Sequence, residues 1–168
     1  YYAGTRAAAC GGTTTVFDFV LQDFGETMVD AVKRRDKLCA GAAAVDYSYH
    51  VAVKDVSGEL LDSIEDCVKF GVPSFKVFMV YDFGVTDGIF YKVLKKAKEC
   101  GALIGVHAEN NEIINTLTSE FLAEGKTSAW YHYMSRPEFV EAEADIRAIQ
   151  WAKAVGTKLY IVHLANKD

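Results

Sequence analysis

The sequence predicts an α/β fold of parallel strands alternating with helices, and three observations carry that prediction. Gly11, Gly41, Gly71 and Gly101 stand thirty residues apart, each preceded by an amphipathic stretch. Each is followed by a run rich in Val, Ile, Phe, Tyr and Thr that is apolar on both faces, as strands covered by helices must be. Side chains do not repeat from unit to unit, so the period reports architecture and not duplication.

The elements follow in order. The chain opens inside a helix that Gly11 stops, and residues 13–20 form the first strand. A second helix ends at Gly41, before a strand at 43–53. Leu60, Ile64, Cys67 and Val68 share one helical face before Gly71, and the strand 74–81 follows. Phe90, Val93, Leu94 and Ala97 do the same before Gly101, and the strand 103–107 follows. Glycine just past a helix adopts the left-handed conformation that other residues resist. Residues 111–136 exceed one period: a helix carrying Ile113, Ile114, Leu117 and Phe121 is stopped by Gly125, then comes an irregular aromatic segment, Trp130-Tyr131-His132-Tyr133. Pro137 starts a long helix whose Ala142, Ile146, Ile149 and Ala152 are expected to face inward. Gly156 ends it before a fifth strand at 159–163.

Units of this length form either an eight-unit barrel or a doubly wound sheet. The sheet would prefer a phosphate loop after its first strand, but Leu21-Gln22-Asp23-Phe24-Gly25 matches neither GxGxxG nor GxxxxGK[ST]. The expected fold is therefore a partial TIM (β/α)8 barrel of about five βα units, residues 1–168 forming one partial domain truncated at both ends. A closed barrel needs eight strands and typically ~250 residues. The sequence also lacks an initiator Met, as a processed chain or a fragment would.

Composition excludes several classes. A net charge of −5 gives no support to binding of nucleic acid or anionic membranes, which would want a basic face. With 51% hydrophobic residues a sizeable core is available and global disorder is excluded. No apolar run approaches the ~20 residues that span a bilayer. The amino end lacks the basic-then-apolar order of a secretory signal. Cys10, Cys39, Cys67 and Cys100 are widely spaced single thiols, read as reduced packing residues of a cytoplasmic protein.

In parallel βα folds function collects where strands end. His107 and His163 each close an apolar strand, and Lys76 lies inside a strand that otherwise reads as buried. A buried amine loses its charge easily, and the neutral form reacts with carbon dioxide to give a carbamate. Such a group could bridge two cations that also take imidazole ligands and jointly activate water. Singly, a strand-end His is more often a structural hydrogen-bonding residue, and a strand Lys an edge or snorkelling one. The conjunction of three on consecutive strands brings the metal reading level with the structural one, and spacing alone goes no further. Asp18 and His50 are strand residues with structural roles expected, His50 in the core or behind the ligands. His132 is expected at the surface, Glu109 behind His107, and Glu141 and Glu143 at a helix start with Arg136 as structural residues.

Four segments in combination resemble the cyclic amidohydrolases, in particular the dihydropyrimidinase/hydantoinase branch. They are Ser74-Phe75-Lys76-Val77-Phe78-Met79-Val80-Tyr81, Val106-His107-Ala108-Glu109-Asn110, Ser135-Arg136-Pro137 with Glu141-Ala142-Glu143-Ala144, and Ile161-Val162-His163. Gly4-Thr5-Arg6, Gly11-Gly12-Thr13-Thr14 and Asp46-Tyr47-Ser48-Tyr49-His50-Val51 match the same branch. The resemblance implies a barrel enzyme with two divalent metal ions, usually zinc, that opens a 5,6-dihydropyrimidine or hydantoin ring to an N-carbamoyl amino acid. It implies a small cyclic ureide or imide substrate, no nucleic-acid or membrane partner, and a homotetramer or dimer. Lys76 matches the carboxylated lysine that bridges the metals, His107 and His163 two imidazole ligands, and Tyr81 the tyrosine that hydrogen-bonds the developing oxyanion.

The same resemblance implies donors that this sequence lacks, namely an HxH pair on the first strand and an aspartate on the last. The 168 residues alone are therefore expected to be inactive. Two other readings keep the fold: a non-catalytic oligomeric homologue of the collapsin-response-mediator type, and an allantoinase or dihydroorotase acting on another ring. Dihydroorotases and allantoinases generally lack tyrosine at the Tyr81 position, and the collapsin-response-mediator branch has lost metal ligands.

Overall fold

The computed structural model describes residues 1–167. Its elements run α1 (Tyr2–Cys10), β1 (Thr15–Leu21), α2 (Met28–Cys39), β2 (Asp46–Ala52), a 3₁₀ turn (Gly58–Leu61), α3 (Ser63–Lys69), β3 (Ser74–Phe78), α4 (Asp87–Cys100), β4 (Leu103–His107), α5 (Asn111–Ala123), α6 (Trp130–Met134), α7 (Glu138–Val155) and β5 (Lys158–Ile161). Among the described residues these strands form one parallel sheet in the order β1-β2-β3-β4-β5. A doubly wound sheet would reverse its order near the middle and carry helices on both faces. Here the order never reverses, which is the winding of a barrel.

Local signals set the helices. Thr27, Thr86 and Asn110 cap α2, α4 and α5 by accepting from the backbone N–H three residues on. Gly101 and Gly156 end α4 and α7 with φ of 74° and 76°. At the first period the left-handed residue is Gly12 (φ 91°) and not Gly11 (φ −84°), because the chain makes one more turn before entering β1.

One face of the sheet is packed. Val20, Tyr49, Val51, Phe75, Val77, Ile104 and Val106 meet Met28, Val32, Ile64, Phe90, Leu94, Ala144 and Ala148 of the helices in one buried cluster. Each fully buried large apolar side chain contributes about 1.5–3 kcal/mol. The opposite face carries Phe17, Phe19, Leu21, His50, Lys76, Phe78, Gly105, His107 and Tyr160, by the two-residue alternation of strands. Phe17, Phe19, Leu21 and Tyr160 there are about half exposed.

Several expectations are corrected. In α7 the inward residues are Val140, Ala142, Ala144, Asp145, Ala148 and Ala152, whereas Ile146 and Ile149 are exposed. Close approach to α4 and the sheet selects the alanine stripe over the larger isoleucines. The aromatic segment Trp130–Met134 is a short helix. The third helix is split, a 3₁₀ turn preceding α3, so Leu60 lies outside it. Cys39 and Cys67 are buried, and burial pushes the Cys67 thiol up to about 12. Cys10 is exposed on the last turn of α1 and packs against no core. No helix among the described residues is long and apolar enough to cross a membrane.

Candidate active site

The site is built where β3, β4 and β5 end. Lys76 points from the middle of β3 into the helix-free face, only 3% exposed. Its Nζ has no hydrogen-bond partner and lies 4.9 Å from the centre of the Phe78 ring. Burial pulls the ammonium down to about 8, because no counter-charge repays the lost hydration. Gly105 is its register partner on β4, and its missing side chain leaves room for the lysine stem. Together they line a hollow of about 230 Å³ with Phe17, Phe19, His50 and Tyr160. His50 Nδ1 meets Ser74 Oγ at 2.6 Å and its ring stacks on Phe17 at 5.0 Å. Burial, then the Lys76 charge, lowers the His50 imidazole's affinity for a proton.

The rim holds the other candidates. His107 is the last residue of β4, whereas His163 falls two residues past the end of β5, in a turn and not on the strand. The ladder is spent at Val162, whose N–H reaches Val106 O at 3.1 Å, and the chain then turns away with His163 at φ 41°. The two rings nevertheless meet, centroids 4.5 Å apart and nearly perpendicular. Tyr81 lies in the loop after β3 with its ring 5.4 Å from that of His107. Tyr81 (φ 76°) and His163 are the only non-glycine residues at positive φ among the described residues. Such backbone costs of order 1–3 kcal/mol each and persists where the surroundings impose it. The loop is locked by Val85 N–H to Phe78 O, Gly84 N–H to Tyr81 O (both 2.9 Å), and Tyr81 N–H to Asn111 Oδ1 (3.3 Å).

A buried carboxylate orients His107. Glu109 Oε2 accepts from His107 Nε2 at 2.6 Å, and its other oxygen lies 3.3 Å from Arg136 Nε. Burial opposes ionisation of Glu109, yet the His107 hydrogen bond and the Arg136 guanidinium outweigh it and hold the carboxyl below its usual range. With Nε2 donating, Nδ1 of a neutral His107 keeps the free lone pair. Glu109, His107, His163, Tyr81, Arg136 and Glu141 line a second hollow of about 230 Å³.

The structure thus brings Tyr81, His107 and His163 together and leaves Lys76 in an adjoining hollow, with the Phe78 ring close to both Lys76 and His107. Asp18 turns to the helix side and pairs with Arg35 at 2.7 Å, away from the rim. His132 is exposed, its Nδ1 3.2 Å from Arg136. Among the described residues no three His, Cys, Asp or Glu side chains converge to hold a metal. A partnerless buried amine and two touching imidazoles nonetheless have the donor chemistry for part of a divalent-metal site. Two features escape sequence reasoning. Gln22 is fully buried, its amide donating to the Glu26 and Asp55 carbonyls and accepting from the Lys54 and Asp55 N–H groups. Asp145 is buried in α7 and takes a hydrogen bond from Asn166. Neither carries a motif; each is defined by contacts distant in sequence.

No protein-family model matches the chain. The chain is 43% identical to a D-hydantoinase of Ralstonia pickettii, over all of this chain and 37% of that protein. A solved D-hydantoinase structure superposes with a TM-score of 0.93 at 44% identity, over 97% of this chain and 36% of that one. The dihydropyrimidinase of Brevibacillus agri NCHU1002 superposes equally well, TM-score 0.93 at 40% identity, over 98% of this chain and 36% of that one. The chain therefore spans just over a third of the length of these relatives.

Proposed function

Because the chain is homologous over its whole length to the D-hydantoinases and dihydropyrimidinases, we propose that it forms five consecutive βα units of a metal-dependent cyclic amidohydrolase. The reaction is hydrolytic opening of a dihydropyrimidine or hydantoin ring at an amide C–N bond, giving an N-carbamoyl amino acid. The observation that carries the reading within the chain is the buried, partnerless amine of Lys76 beside a rim that bears two imidazoles.

Each residue's part follows from its chemistry. With its ammonium lowered to about 8, roughly one Lys76 amine in ten is neutral at pH 7. The neutral nitrogen adds to carbon dioxide and releases a proton, turning a buried cation into a carbamate anion with two ligating oxygens. His107, held through Nε2 by Glu109, and His163 would supply imidazole nitrogens to the same cations. Divalent cations, zinc in the resemblance, supply an activated water and polarise the ring carbonyl when bound. Tyr81 would donate a hydrogen bond from its hydroxyl to that carbonyl oxygen as negative charge develops, from a loop whose backbone is fixed at positive φ. A small cyclic ureide, a cytoplasmic location and a homo-oligomer belong to the same reading.

The test uses the complete reading frame that encodes these residues. Metal analysis is expected to find about two divalent ions per chain, and hydantoin and dihydrouracil to be opened. Tyr81→Phe is expected to lower kcat by about 10²–10³-fold, the loss typical of one oxyanion donor. Metal content near zero with no ring opening would instead favour a non-catalytic homologue. Turnover indifferent to the Tyr81 hydroxyl would remove that residue from the mechanism.

A further inference from the structure

The segment after β5 is held in an unusual way. Leu164 is 59% exposed and packs into no core, so apolar burial does not fix the chain beyond His163. Three carboxylates of α7 do. Glu138, Glu141 and Asp145 are spaced three and four apart, on one helix face. Glu141 Oε1 accepts from Ala165 N–H at 3.0 Å, and Asp145 Oδ2 from Asn166 Nδ2 at 2.9 Å. Glu138 Oε2 lies 3.6 Å from Lys167 Nζ. Each carboxylate meets one residue of the consecutive run 165–167.

The contacts differ in strength. Glu138 and Lys167 are largely exposed, and such a pair contributes little. Asp145 is 4% exposed, and a buried hydrogen bond to a carboxylate is among the stronger contacts. Its second oxygen, Oδ1, is buried without a partner, a cost that a merely decorative side chain would not carry.

We infer that Glu141 and Asp145 are positioning residues: they strap the post-β5 segment onto α7 and thereby hold His163 in its left-handed turn, ring against His107. The strap acts on His163 whether or not a metal is bound; its importance for catalysis rests on the reading of His163 as a ligand. A segment released from α7 would let His163 relax toward negative φ, which swings its ring off the rim.

The experiment is amide exchange and imidazole resonance measurement by NMR on the metal-free chain carrying Phe17→Ser and Phe19→Ser, which remove exposed apolar side chains far from the strap, with Glu141→Ala, Glu141→Gln and Asn166→Ala added to it. Asn166→Ala removes one strap bond without altering α7, so it remains informative if an α7 variant fails to fold. Exchange of the Ala165 amide is expected to rise about tenfold or more in Glu141→Ala. The His163 ring protons should lose the shift imposed by His107 in both alanine variants. Glu141→Gln keeps an acceptor oxygen but loses the negative charge near the start of α7. It should therefore retain the His163 signature while its melting temperature falls with that of Glu141→Ala. This split separates positioning from general support of the helix. Unchanged His163 resonances in Asn166→Ala, or a Glu141→Gln spectrum matching Glu141→Ala, would overturn the proposal. Zinc titration of the same variants is read separately. Half of the implied donors lie outside these residues, so only a metal-free protein from the complete reading frame counts against the metal reading, and that outcome leaves the strap result standing.

Discussion

Lys76 bears a charge that its surroundings do not repay. Its folded value of about 8 lies below the ~10.4 of a solvated lysine. Between those values the unfolded chain binds one proton more than the folded chain, so stability climbs with pH across that window, and the penalty is complete below it. Lys76→Met is therefore expected to raise the urea midpoint of the metal-free chain at pH 7, with the gain shrinking toward pH 10. An equal gain at both pH values would mean that the amine finds a counter-charge in solution. The lysine's oddity was legible in sequence, because an amine inside Ser74-Phe75-Lys76-Val77-Phe78 breaks an apolar run. The strained backbone of Tyr81 and His163 was not, since φ at a non-glycine residue is imposed by the loop around it.

At the scale of elements, the loop between β3 and α4 is tightly constrained by its hydrogen bonds. A Cβ at Gly84 would sit 2.6 Å from Val80 O and 3.0 Å from Tyr81 O. Both are backbone atoms, so the loop itself must move. Gly84→Ala is expected to cost about 1–3 kcal/mol in denaturant unfolding and to shift the Tyr81 ring resonances that report its contact with His107. Wild-type Tyr81 resonances in that variant would show the loop is softer than its hydrogen bonds imply. The five strands and the longer helices were readable from glycine spacing and apolar periodicity, and β4 matched to the residue, whereas the 3₁₀ turn and α6 were not. Of the residues expected to face inward on α7, Ala142 and Ala152 are buried but Ile146 and Ile149 are not, because hydrophobicity alone ranks the isoleucines above the alanines. What decides the face is how closely α7 must approach α4, a distance the sequence does not contain.

Across the whole molecule, the two faces of the sheet differ sharply. Helices bury one; the other exposes Phe17, Phe19, Leu21 and Tyr160, with β1 and β5 as open edges. Contiguous apolar surface and unpaired strand edges promote association. The 168-residue chain is expected to enhance the fluorescence of a hydrophobic dye and to self-associate at micromolar concentrations in size-exclusion chromatography. Phe17→Ser combined with Phe19→Ser should weaken both. A monomeric wild-type chain silent to the dye would indicate that this face closes on itself in solution. By itself the sequence determined the βα rhythm and the barrel preference and singled out Lys76, His107 and His163 as candidates, because period and residue type are local properties; Tyr81 became a candidate only through the family resemblance. Only the tertiary structure decided the unreversed strand order, the separation of Lys76 from the rim hollow, and the partners of Glu109, Glu141 and Asp145. Those depend on distances between segments far apart in the chain, which packing sets and no local pattern encodes.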